Sequence, residues 1–90
     1  MKLKYNFVTN EVADKIVAVA VGEDLDKFNG FIKMNSTGAF LFELLKNDVS
    51  EDEMVNAILK AYDDATEEIA REEVKAFVAE LEKSGALVNV

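Results

Sequence analysis

Residues 32–46 read IKMNSTGAFLFELLK, and the fold turns on how that run divides. Side chains of an extended chain alternate between two faces. Ile32 and Met34 therefore fall on one side, Phe31 and Lys33 on the other, and GFIKM reads as a short strand. At Asn35 the pattern changes. Its short polar side chain suits a helix N-cap. The AFLFELL that follows is apolar on almost every side, which marks a helix enclosed by other elements rather than one lying on a surface. Gly38 in its first turn costs a helix about 1 kcal/mol against Ala. The expected compensation is close packing, since a residue without a Cβ lets another backbone approach.

Upstream, FVTNEV at 7–12 is rich in strand formers, and Ala13-Asp14 fits a two-residue hairpin turn. The second strand, 15–21, is apolar at both parities, so both of its faces are expected to be covered. GEDLDKFN at 22–29 reads as a polar loop. Downstream, Asn47-Asp48 ends the first helix, and Ser50 with Glu53 forms a capping box for a second. There Met54, Val55, Ile58, Leu59 and Tyr62 make one stripe. Thr66 caps a third helix to about Ser84, with Ala70, Val74, Phe77, Val78 and Leu81 on one face and Gly85 just beyond its end. An extended tail, 86–90, follows. Three strands followed by three helices define an α+β class: an N-terminal three-stranded antiparallel sheet and a winged-helix-like three-helix bundle, in one domain spanning 1–90. The first helix is expected between the sheet and the two later helices.

The 90-residue chain contains no Cys and no His. A thiolate nucleophile, a Ser-His pair, the usual zinc sites and an iron–sulfur site are therefore excluded. The glycines fit neither GxGxxG nor a phosphate loop. A non-enzymatic protein without a cofactor is the expectation. No apolar run approaches a membrane span, and MKLKYNF lacks the apolar stretch of a signal peptide, which points to the cytoplasm.

The net charge is −8, and all of it arises after residue 46. DNA binding by the third helix, the first hypothesis for this shape, meets a direct obstacle. Residues 67–83 carry six acidic residues against Arg71, Lys75 and Lys83, and each phosphate contact needs a cation. Nucleic acid and membrane surfaces are therefore not expected partners.

The ordered series FNGFIKMNSTGAFLFELL, SEDEMVNAILKAYD and TEEIAREEVKAFVAELEKSGAL resembles the PqqD family. The resemblance rests on Met34, Asn35, Thr37, Gly38, Phe40, Phe42, Glu43, Leu44, Leu45, Tyr62, Asp63, Val74, Phe77, Val78, Leu81 and Gly85, with Phe42 standing where the family often has Trp. It implies a peptide-recognition element without catalytic activity. Such an element binds the leader segment of a ribosomally made precursor peptide and presents it to a modifying enzyme, a radical SAM maturase or a leader peptidase. It also implies that the leader adds as a strand to the third strand and packs on the third helix, the mode known as β-augmentation.

Carried onto this chain, the site comprises Gly30, Phe31, Ile32, Lys33 and Met34 on the strand. On the helix it comprises Val74 and the stripe Arg71, Lys75, Val78 and Glu82. Lys33, Arg71 and Lys75 would meet acidic leader side chains, while Phe31 and Val78 accept an apolar one. Two alternatives stay open. Arg71 and Lys75 can instead pair with Glu67, Glu68 or Glu72. The same strand edge can serve an adaptor or a homodimer, with a second copy in place of a leader.

Overall fold

The computed structural model describes residues 1–28 and 30–88. Its elements run β1 (Lys2–Leu3), β2 (Phe7–Val12), β3 (Lys15–Ala20), a 3-10 turn (Gly22–Asp24), β4 (Phe31–Met34), α1 (Ser36–Leu44), α2 (Glu51–Ala61), α3 (Glu67–Ser84) and β5 (Leu87–Val88). The fold is α+β, an antiparallel sheet of order β2-β3-β4 followed by three helices.

The Ala13-Asp14 turn closes the β2–β3 hairpin at Val12 and Lys15, and pairing runs on to Phe7 and Ala20. Across the sheet, Val8, Val19 and Phe31 form one row and Thr9, Ala18 and Ile32 the next. Because faces alternate, Phe7, Ala18, Ala20, Ile32 and Met34 share the inner face. Phe7, Ala18, Ala20 and Met34 are buried there.

The outer face is a correction to the expectation that both faces of β3 are covered. Val17 and Val19 are only half-buried, while Val8 and Phe31 are 45% and 56% exposed. Apolar residues at both parities arise here because the outer row packs within itself across the strands.

The helix α1 occupies the centre, as its composition requires. The Phe42 ring meets Phe7 of the sheet edge-on at 5.4 Å between centroids. Phe40, on the opposite side, meets Tyr62 at the end of α2 at 5.7 Å. Leu41, Phe42 and Leu45 join Met54, Val55 and Ile58 of α2 and Val74, Val78 and Leu81 of α3 in one buried cluster. The caps form as the sequence requires. Asn35 Oδ1 accepts from the Gly38 amide at 2.8 Å, Ser50 and Glu53 complete the capping box, and Thr66 accepts from the Ile69 amide.

Two local features were not foreseen. The segment 22–29 is more than a polar loop. Phe28 is buried and stacks edge-on against Phe7 at 5.2 Å, while Asp24 Oδ2 accepts from the Asn6 amide at 2.8 Å. The N-terminal MKLKYNF also supplies a strand: Lys2 pairs with Val88 and Leu3 with Leu87. The Leu3 amide donates to the Leu45 carbonyl at 2.8 Å, satisfying a backbone acceptor left open at the end of α1. The ends of the predicted loop and of the predicted tail, Asn29, Asn89 and Val90, lie outside the described residues. No helix of the described residues is long and apolar enough to cross a membrane.

Candidate functional site: the β4 edge and the α3 groove

In the sheet order, β4 is terminal, so one of its edges pairs with β3 and the other with no described strand. Which backbone groups the open edge offers follows from the hairpin. A two-residue turn is flanked by a hydrogen-bonded pair, here Val12 and Lys15, and bonded pairs then alternate along the ladder. The bond from the Val21 amide to the Asn6 carbonyl, 3.0 Å, keeps that parity. Lys15, Val17 and Val19 thus bond to β2, leaving Ile16, Ala18 and Ala20 to bond to β4. Their partners Met34 and Ile32 spend their amides and carbonyls on β3. The amides and carbonyls of Phe31 and Lys33 therefore point out from the open edge.

Beside that edge lies a hollow of about 550 Å³, lined by Phe31, Ile32, Lys33, Met34, Asn35 and Gly38 on one side and Phe77, Glu80, Leu81 and Ser84 of α3 on the other. Gly38 shapes its floor. A Cβ there would stand 3.1 Å from Met34 Cβ, 3.2 Å from the Phe77 ring and 3.3 Å from Asn35 Oδ1. The close packing expected at Gly38 is thus real, but the approaching groups are side chains, not another backbone.

The strand residues named from the sequence lie together at the open edge. Phe31, Ile32, Lys33 and Met34 line the hollow, and Gly30 precedes them with φ +91°. The Lys33 ammonium sits 5.6 Å from the centre of the Phe31 ring, as two neighbours on the outer face permit.

The helix residues named from the sequence lie elsewhere than along the hollow. Val74 and Val78 are 0% and 8% exposed and belong to the core, so neither presents a surface. Arg71 turns towards α2. Its guanidinium donates to Glu51 Oε2 at 2.7 Å and lies 3.0 Å from Asp52 and 3.5 Å from Glu67. Its hydrogen bonds to Asp52 and Glu51 raise its pKa above the ordinary arginine value. Arg71 thus fastens α3 to the first turn of α2. Pairing with Glu67 follows from helical spacing; the two α2 carboxylates lie twenty and nineteen residues away, where spacing cannot reveal them. Lys75 and Glu82 are exposed but do not line the hollow.

On the other flank of the core stripe run Glu73, Phe77, Glu80 and Ser84; the last three line the hollow beside β4, and Glu73 lines the next one, beside the start of α1. Their signal was present as the spacing i, i+4, i+7, i+11. It was passed over because Phe77 reads as core and because cations drew attention to Arg71 and Lys75. Among the described residues, no group of three or more Asp or Glu is placed to hold a metal ion.

An open strand edge beside a groove is the geometry that strand addition requires. The comparisons place the chain in a family. Residues 16–87 match the family described as coenzyme PQQ synthesis protein D, and the chain belongs to that PqqD family. Among solved structures, the chain is similar in fold to TbiB1, determined in complex with the TbiA(beta) leader peptide. That match has a TM-score of 0.74 and 19% identity, covering 100% of this chain and 98% of the other. No curated protein matches.

Proposed function

We propose that this protein is a non-catalytic peptide-binding chaperone. It takes the leader segment of a ribosomally made precursor peptide as an added strand on β4 and presents it to a modifying enzyme. The observation that carries the reading is the open edge of β4, with the Phe31 and Lys33 amides and carbonyls turned towards a groove walled by Phe77 and Glu80. Main-chain bonds to that edge supply affinity, and the groove supplies selectivity. Membership of the PqqD family supports the reading, as does a fold shared with a protein solved with a leader peptide bound. The family resemblance points to a radical SAM maturase or a leader peptidase as the enzyme served. The peptide contacts are Gly30, Phe31, Ile32, Lys33 and Met34 on β4 and Phe77, Glu80 and Ser84 on α3, with Val74 and Val78 supporting them from beneath.

The test is an amide-resolved NMR titration with a leader peptide encoded by a short reading frame beside the gene, against a scrambled control. Saturable shifts are expected at β4 and along the Phe77 flank of α3. Unchanged spectra near 1 mM peptide (about the weakest affinity worth −4 kcal/mol) would remove this leader as the ligand. The alternative is an adaptor or homodimer using the same edge, and the outer row of Val8, Val19 and Phe31, exposed at Val8 and Phe31, favours keeping that reading. Sedimentation velocity separates the two: a stable dimer with its β4 edge already occupied would put the adaptor first.

A further inference from the structure

We propose that the groove between β4 and α3 selects a basic leader segment, one with an apolar side chain seated on Phe77 and Lys or Arg two positions to either side, facing Glu73 and Glu80. This rests on the strand-addition reading and specifies the chemistry of its ligand. It reverses the charge expected from the sequence, where Arg71 and Lys75 were to meet acidic side chains.

The hollow beside β4 does not end at Asn35. It shares Asn35, Gly38, Phe77 and Glu80 with a second hollow of about 270 Å³, which adds Leu41, Glu73 and Ala76. That one shares Thr37 and Glu73 with a third of about 270 Å³, reaching Asp64 and Ile69. Together they follow α3 from Ser84 back to Ile69, roughly 22 Å at 1.5 Å per residue. An extended peptide covers that distance with about six or seven residues, more than the four of β4 can pair.

Apart from Lys33, the charged side chains lining this trough are acidic. Lys33 stands at the β4 end, over the Phe31 ring. Glu80, Glu73 and Asp64 follow, all exposed. Among the described residues none of the three carboxylates has an ion-pair partner. The positions one helical turn from Glu73, namely Ile69, Ala70, Ala76 and Phe77, bring no cation, and Lys83, one turn beyond Glu80, does not line the trough. Arg71, the chain's single arginine, is engaged by Glu51, Asp52 and Glu67. The N-terminus of α1 also borders the trough and carries about half a positive charge. Its Gly38 amide already donates to Asn35, and half a charge does not balance three carboxylates.

Spacing completes the pattern. Glu73, Phe77 and Glu80 succeed one another at about one helical turn, near 5.4 Å. Alternate side chains of a strand face the same way about 6.6 Å apart. One apolar residue over Phe77 thus places its neighbours at i−2 and i+2 opposite the two glutamates.

The probe is a library of short random peptides displayed on phage, selected against the wild-type protein and against a Glu73→Lys, Glu80→Lys double variant. Wild type is expected to enrich Lys or Arg two positions from an apolar residue, and the double variant to enrich Asp or Glu there. A synthetic peptide of the wild-type consensus should bind the double variant at least about tenfold more weakly. Lys75→Glu, on the far side of α3, should leave its affinity within about twofold. Thermal melts check that the variants fold, and Glu73→Gln with Glu80→Gln serves as the milder pair. A consensus without basic residues, or equal binding to wild type and variant, overturns the charge assignment while leaving strand addition standing. If no peptide is enriched, or enriched peptides leave the Phe31 and Lys33 amides unshifted, strand addition itself fails and this inference with it.

Discussion

Ala13 is the only non-glycine residue with a positive φ among those described, at +56°. The left-handed region costs an L-residue about 1–2 kcal/mol. Glycine relieves that cost but adds about 0.4–1 kcal/mol of unfolded-state freedom. Ala13→Gly is therefore expected to stabilise the protein by about 0.5–1 kcal/mol, read as a higher midpoint in urea. A lower midpoint would mean that the strain is not released at this turn. Gly38 poses the opposite problem. Alanine there gains up to about 1 kcal/mol of helix propensity, yet its Cβ meets Met34 Cβ and the Phe77 ring at 3.1 and 3.2 Å. Met34 is fixed in a strand, so the ring must yield. Gly38→Ala is expected to change stability little and to shift the Phe77 ring resonances. Leader affinity should fall with them, since the displaced ring moves into the space a ligand would fill.

Individual elements were legible where local chemistry decides them. The strand at Phe7–Val12, the capping box at Ser50 and the left-handed end at Gly85 each follow from a few adjacent residues, and each appears as expected. Ser50→Ala removes one partner of the box and should cost about 1 kcal/mol in a thermal or urea melt. Which flank of α3 faces the groove was not legible. The helical period fixes the core stripe but leaves two flanks, and only the position of β4 chooses between them. Arg71 shows the same limit, because its α2 partners are brought to it by tertiary packing. The backbone parity of β4 gives a sharp expectation at this scale. In the free protein the Phe31 and Lys33 amides should exchange with deuterium much faster than those of Ile32 and Met34, and bound peptide should slow the first pair. Comparable rates for all four would mean that the edge is already covered.

The whole molecule rests on one core, and Phe42 is its largest fully buried side chain. A chain of this length has roughly 5–13 kcal/mol of stability at typical values per residue. Phe42→Ala is expected to remove about 3–5 kcal/mol of that, moving the urea midpoint far down. A loss below about 1 kcal/mol would show that α1 is not the centre of the fold. Pairing between β1 and β5 acts at this scale too, since Lys2 lies opposite Val88. Residues near the two ends of the described chain thus lie side by side. A second domain grafted onto either end would swing about nearly the same point, so the order of such a fusion is almost neutral. The forward graft alone gives something up: the terminal ammonium of Met1 that now bonds Asp48 at 2.8 Å.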